Sequence, residues 1–400
     1  MSAPALAGLR VVDLAGDVGN YCGKLFADLG ADVVLVEPPG GCPQRTAEPT
    51  VASGPAAGTA LAFVYQNTNK RSVVVDVDND ADLRLLHDMV AAADLVIDNW
   101  APGELALRGL DRDAMTAVNP GLVVTSITPF GQTGPYARYQ SADIVLLAMG
   151  GMLSLAGYGD GPPTRPYGDQ SYVMAGLFGA VAAMMAVLHA EQTGVGQSVD
   201  VSVHECVTLA LETAIQYYDL EGVIRGRQTG RYRHAGSGLY DCADGYVYLF
   251  VGGVASNRFW GRLVDWLVES GVPEAAVLHE PVWEDLDHLR TEEAKATFER
   301  LFTTMSAGRS KADLYHDAQA HGIPLSPVNS PADLVHSKQL RAREFFVQAD
   351  DMYRAGYLTP GAPYQLSATP WTLRTSAPAL GEHTEQVRAA LREHVTGGAR

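Results

Sequence analysis

Five short apolar segments alternating with helical ones constrain this chain more than any other feature. Leu9–Leu14, Ala31–Glu37, Ser72–Val77, Asp94–Ile97 and Leu122–Ile127 are rich in Val, Leu and Ile and are bounded by Gly, Pro, Asn or Asp, which reads as buried strands. Tyr21–Leu29 and Ala81–Ala92 read as helices between them. A strand, helix and strand in succession favour parallel pairing through a right-handed crossover. The pattern therefore predicts a doubly wound α/β domain. In such sheets ligands gather at the loops after the strand carboxyl ends. Those loops hold Gly16–Gly19, Asn99–Trp100 and Phe130–Gly134. The glycines at 16, 19 and 23 do not follow the G-x-G-x-x-G spacing, so a dinucleotide oxidoreductase with Glu37 on a ribose is a weak alternative.

A second constraint lies between Thr164 and Asp200. A polar lead-in (Pro166, Tyr167, Gly168, Asp169, Gln170) feeds a helix rich in Ala, Gly, Met and Leu. Gly194 suits the left-handed position after its end, and Ser198–Val203 reads as one more strand. The apolar run Val173–Leu188 has 16 residues. That is below the roughly 18–20 needed to span a bilayer, so a core helix is expected and no membrane. Small residues at Ala175, Gly176, Gly179, Ala180, Ala182 and Ala183 would let another backbone approach. Asp169 stands just before this helix, where the helix terminus favours negative charge. It reads either as a reactive carboxylate or as a cap that accepts a backbone N–H.

The remaining segments read less sharply. Asp143–Leu155 and Ser202–Gly222 are expected as helices, and the basic, Gly-rich Gly226–Gly238 as a mobile connection. Tyr240–Val251 reads as a hairpin turning at Ala243–Gly245. Helices are expected around 257–270, 292–305, 311–321 and 382–394. With 400 residues the chain can hold two domains. A net charge of −17 argues against nucleic acid as a partner. The four cysteines form no CxxC, so reduced thiols in the cytoplasm are expected rather than zinc. The start, MSAPALAGLR, lacks the pattern of a secretory signal.

Six segments, in order, resemble the family III CoA-transferases, also called the CaiB/BaiF family. They are VDLAGDVGNYCGKLFADLGADVVLVEPPGG from Val12, NKRSVVVDV from Asn69, ADLVIDNWAPG from Ala93, NPGLVVTSITPFGQTGP from Asn119, HAEQTGVGQSVDVSVHE from His189 and LGEHTEQV from Leu380. The resemblance implies a Rossmann-like large domain, residues 1–220 and 330–400, with a smaller α+β domain, 221–329, inserted in it. It implies an interlocked homodimer, acyl-CoA and a small carboxylic acid as substrates, coenzyme A as co-substrate, and no metal. It also implies covalent catalysis by an Asp, but the family's Asp position holds Tyr172 here. Asp169, three residues earlier on roughly the same helix face, is the replacement. The alternative is a non-catalytic subunit working with a related, Asp-bearing chain. For CoA the resemblance points to Val75, Asn99 and Trp100, with Arg45, Arg108 and Arg138 as candidate phosphate contacts. Gly236 and Gly238 fit either part of a mobile cover, as the family's Gly-rich loop implies, or an ordinary lead-in to the hairpin. Asn20 and Leu35 stand where the family commonly has Pro and Lys. The racemase branch carries a His before the Asp143–Ile144 pair and an Asp at 172; Ala142 and Tyr172 argue against that activity.

Overall fold

The computed structural model describes residues 3–227, 230–252, 257–349 and 357–397. Six strands, β1 (Arg10–Leu14), β2 (Asp32–Glu37), β3 (Arg71–Val74), β4 (Leu95–Asp98), β5 (Val123–Thr128) and β6 (Ser198–Ser202), form one sheet in the order β3-β2-β1-β4-β5-β6. Every neighbouring pair is parallel. From β1 the chain winds outward to β2 and β3, then returns to β4 and winds the other way. Leu14 pairs with Asp98 in register, so the loops that follow them part on opposite faces and open a crevice at the strand ends.

Alternating side chains bury both faces of the sheet. Val11, Val33, Leu95, Ile97, Val123 and Ile127 pack with Cys22 and Phe26 of helix Asn20–Asp28 and with Ala175, Ala183 and Val187 of the long helix. Val12, Val34, Val73, Val96 and Val124 pack on the other side with Leu86, Met89 and Val90 of helix Asp80–Ala92 and with Val387 near the chain's end. Gly23 serves packing rather than phosphate binding. A Cβ there would lie 2.1 Å from Asp13 Oδ2, which is 2.7 Å from Lys70 Nζ in a fully buried ion pair.

The long helix spans Gln170–Thr193, 24 residues, because its polar ends extend the apolar run. Its length and the mean hydropathy of 2.0 over an 18-residue stretch of it satisfy the requirements for crossing a membrane, so shortness does not exclude that role. Leu177, Val181, Met185 and Leu188 on one side of it are exposed, whereas its other face packs against the sheet. Added Cβ atoms at Gly176 and Gly179 would lie 3.0 Å from Tyr21 Cβ and 2.8 Å from Ile127 Cδ1, so helix and sheet approach closely along this face. Two expected helices are broken. Asp143–Met149 stops at Gly150–Gly151, where Gly151 has φ 86°, before Met152–Leu155. Val203–Leu209 and Ala214–Glu221 are separated by a turn with Glu212 at φ 54°.

The chain divides into two compact units. The first comprises Met1–Leu153, Arg165–Ile224 and Gln339–Arg400; the second comprises Ser154–Thr164 and Arg225–Lys338. The second holds an antiparallel sheet ordered β10-β9-β8-β7, from β7 (Tyr232–His234), β8 (Ser237–Cys242), β9 (Gly245–Phe250) and β10 (Leu325–Pro327). Its core is aromatic, with Tyr240, Trp260, Trp266, Phe298 and Phe302 all buried. The expected mobile stretch Gly226–Gly238 is partly pinned here. Residues 232–234 are a strand, Gly236 and Gly238 are buried, and Gln228 and Thr229 lie outside the described residues. A Cβ at Gly236 would meet Val251 O at 2.8 Å, and one at Gly238 would meet Arg231 O at 2.5 Å. Glycine at these two positions serves strand packing, which displaces the reading of them as a mobile cover.

Candidate active site at the ends of the parallel strands

A cavity of about 380 Å³ opens at the carboxyl ends of β1 to β4, lined by Gly16, Glu37, Gln44, Val75, Asn99 and Trp100 among others. The fold brings Val75, Asn99 and Trp100 together around it, though 24 residues separate the first two. The Asn99 side chain crosses the crevice: its Oδ1 accepts the Gly16 backbone N–H at 3.0 Å. A Cβ at Gly16 would sit 3.1 Å from Gln44 Nε2 and 3.3 Å from Asn99 Nδ2, so a side chain there would push these two amides back by a few tenths of an ångström.

Asp98, fully buried at the end of β4, holds the Trp100 turn. Its Oδ1 accepts the Trp100 N–H at 3.1 Å and its Oδ2 accepts Ser126 Oγ–H at 2.6 Å. Burial dominates and pushes its carboxyl from the ordinary 3.8 up to about 6, despite these two bonds. The folded state thus holds this proton more tightly than the unfolded chain. Its contribution to stability is complete below the unfolded value and is lost as pH rises through about 6. Between about pH 4.5 and 7.5 the loss is about 2 kcal/mol. Asp98→Asn keeps both bonds, since an amide accepts from Trp100 N–H and donates to Ser126 Oγ. Denaturant midpoints at the two pH values should therefore show a smaller acid-to-neutral loss in the variant; equal losses would remove Asp98 as the cause.

The three arginines differ. Arg45 is engaged: Nε and Nη2 each lie 2.6 Å from the Glu37 carboxylate, Nη1 donates to Pro378 O at 3.1 Å, and the guanidinium lies 4.2 Å from the Phe63 ring centre. Glu37 also accepts Ser72 Oγ–H at 2.6 Å. The expected roles of Arg45 on a phosphate and Glu37 on a ribose are therefore displaced, because each satisfies the other in a largely buried pair. Arg108 pairs with Glu104 and lies over the Trp100 ring, 5.2 Å from its centre. Arg138 is exposed, and its Nη2 lies 3.8 Å from the Cβ position of Gly103, beside the same turn.

A second group of side chains gathers at the start of the long helix. Asp169 occupies the N-cap position, but its side chain caps nothing. The cap comes from Asp143, 28 residues earlier: its Oδ1 accepts Ser171 N–H at 2.9 Å and Ser171 Oγ–H at 2.8 Å. The capping alternative for Asp169 is thereby overturned, because a buried carboxylate already fills that role. Asp169 Oδ1 instead lies 3.3 Å from Arg165 Nη2, exposed to solvent. Tyr172 is half-buried, and burial, then Asp17, Asp169 and Asp143 in turn, push its phenol up to about 12. It is a proton-bearing donor at neutral pH, not a nucleophile. Partial desolvation, then the like charge of Asp169, push the Asp17 carboxyl up as well, although the residue keeps solvent contact.

Asp17, Asp143 and Arg165 were not singled out from the sequence. The signal for Asp17 was present: it lies inside the Gly16–Gly19 loop at a strand carboxyl end. Gly16 of this loop faces the cavity while Asp17 faces Asp169 and Tyr172, so one loop joins the two groups. Among the described residues no cluster of three or more His, Cys, Asp or Glu is arranged to hold a metal.

The CoA-transferase family III model matches residues 6–384. The chain is 39% identical over 380 residues to the succinyl-CoA:(R)-benzylsuccinate CoA-transferase subunit BbsE of Thauera aromatica, covering 94% of this chain and 92% of that one. It is 32% identical to the succinate–glutarate CoA-transferase of Agrobacterium fabrum, covering 97% and 96%. A crystal structure of a CaiB/BaiF family protein from Brucella suis superposes with a TM-score of 0.87 at 28% identity, covering 98% of this chain and all of that one. The match runs from the first strand to the last helix and includes both the cavity and the helix that carries Asp169, and on that evidence this chain belongs to CoA-transferase family III.

Proposed function

We propose that this chain moves CoA between an acyl thioester and a free carboxylic acid, with Asp169 as the covalent nucleophile. The observation that carries this reading is the uncapped Asp169 carboxylate at the N-terminus of the long helix, one turn from a protonated Tyr172. Asp169 attacks the thioester carbonyl carbon; the C–S bond breaks and CoA leaves as thiolate. The thiolate then attacks the Asp169 side-chain carbonyl of the mixed anhydride, which releases the donor acid and leaves an Asp169–CoA thioester. The acceptor carboxylate attacks that thioester, its C–S bond breaks to give CoA thiolate and a second anhydride, and the thiolate attacks the acceptor's acyl carbonyl, which frees the new acyl-CoA and restores the Asp169 carboxylate. Tyr172 O–H donates to the oxyanion formed in these steps.

The CoA moiety takes the cavity beside Val75, Asn99 and Trp100. Arg108 and Arg138 beside the Trp100 turn support a phosphate subsite there, whereas Arg45 does not. Succinyl groups stand in the names of both curated relatives or as succinate, which supports a dicarboxylic donor. The proposal includes an interlocked homodimer, with the inserted domain near 221–329, and a cytoplasmic setting, which four free cysteines support.

Incubation of the purified chain with succinyl-CoA and labelled CoA tests the reading. Label should enter the thioester, and hydroxylamine should inactivate the enzyme only when acyl-CoA is present. Absence of both from a folded, CoA-binding chain would reject it. A second reading is favoured by Tyr172 at the expected acid position and by the subunit named among the relatives. There the chain binds CoA, does not turn over alone, and gains activity only on mixing with an Asp-bearing relative.

A further inference from the structure

Arg165 stands between two carboxylates that do not use it fully. Its Nη2 lies 3.3 Å from Asp143 Oδ2 and 3.3 Å from Asp169 Oδ1, and donates to Gly168 O at 3.3 Å. Among the described residues it is the one cation within ion-pair distance of either acid. Asp143 is 4% exposed, and its Oδ2 has no hydrogen-bond partner. The recorded contacts of Arg165 all run through Nη2, and its side chain is 45% exposed. Nε and Nη1 carry no ion pair or hydrogen bond among the described residues and keep donors to give.

Charge sets what those donors can take. Burial first, and then the charges of Asp17, Asp169 and Asp143, push the Tyr172 phenol up, so three carboxylates act on one side chain here. A substrate carrying a second carboxylate would meet net negative charge there unless a cation received it. Acylation of Asp169 removes one negative charge from this group, because an anhydride or thioester is neutral. Arg165 then keeps a single ion-pair partner, the buried Asp143, at the moment the acyl group lies beside it. A guanidinium fork matches a carboxylate with two parallel N–H bonds.

We propose that Arg165 binds the free terminal carboxylate of a dicarboxylic acyl group, so that the site selects dicarboxylic over monocarboxylic acids. This rests on the assignment of Asp169 as the acylated residue. Asp143 acts through Arg165 as a positioning residue.

The test compares succinyl-CoA with butyryl-CoA, two four-carbon thioesters of which one ends in a carboxylate, using exchange of labelled CoA. Wild type should prefer succinyl-CoA, and Arg165→Gln should lower that preference by roughly 10–100-fold, as loss of a charged hydrogen-bond pair implies. Arg165→Lys, which keeps the charge without the fork, should retain part of it. Equal losses with both thioesters in Arg165→Gln would overturn the proposal and leave Arg165 as a support for Asp169. The wild type gives a check that needs no variant: the terminal methyl ester of succinyl-CoA should behave as butyryl-CoA does. Equal handling of succinyl-CoA and its ester would also overturn the proposal. If no thioester exchanges label, the assignment of Asp169 fails separately; the same preference is then read as a ratio of dissociation constants by calorimetry, where a ratio near one overturns the Arg165 role.

Discussion

Asp169→Asn should lower CoA exchange at least about a thousandfold, as removal of a covalent nucleophile does. The amide keeps the shape of the side chain and cannot form an anhydride. The fold should be little affected. The Asp169 carboxylate caps no backbone N–H, and its pairing with Arg165 is exposed, so its loss should cost under about 1 kcal/mol. An unchanged thermal midpoint with abolished exchange is therefore the expected pair of results. Hydroxylamine should inactivate the wild type in the presence of succinyl-CoA and convert Asp169 to its hydroxamate, visible as a mass change on one peptide. The variant should resist. Asp17 is the control, since it is the other solvent-reaching carboxylate beside Tyr172. If Asp17→Asn abolishes exchange while Asp169→Asn does not, the nucleophile lies on the loop after β1 and Asp169 loses its role.

That outcome bears on what could be read before the fold was known. The strands of the large sheet were legible because two-sided burial leaves continuous runs of Val, Leu and Ile, as in β2 and β4. The crevice followed from topology, and Val75, Asn99 and Trp100 do line one cavity there. Arg45 was misleading because an arginine beside a Gly-rich turn carries no mark of its partner. Its partner, Glu37, lies eight residues back at a strand end that only the fold turns toward it. The cap on the long helix was illegible for the same reason. Local rules point to Asp169, whereas the carboxylate that accepts the cap bond is that of Asp143, a tertiary neighbour. The two broken helices were missed where a single residue takes positive φ, at Gly151 and at Glu212, which apolar periodicity does not record.

Glutamates at Val181 and Met185 together should convert the protein to monomers and abolish exchange. These two residues are 58% and 62% exposed, on a helix whose opposite face is packed against the sheet. Leu177, Phe178 and Leu188 lie on the same outer side and are also exposed. Spacings of three and four residues place 177, 181, 185 and 188 in one stripe along the helix. Leu209, Ile215, Tyr218, Leu220 and Ile224, further along the same unit, are exposed as well. An apolar surface of this extent is uncommon on a monomer and marks an association site. A second copy of the chain is the occupant the proposed homodimer supplies, and the stripe begins two turns from Asp169 on the same helix, so loss of exchange is expected to accompany loss of the dimer. Burying an unpaired carboxylate in an apolar contact costs at least about 3 kcal/mol, and a dimer of the double variant would bury four, so its dissociation constant should rise by far more than about ten-thousandfold. Light scattering after size exclusion should give the mass of one chain, 42.6 kDa, for the double variant and twice that for the wild type. A wild type that runs as a monomer, or a double variant that remains dimeric and active, would show that this face meets something other than a second copy.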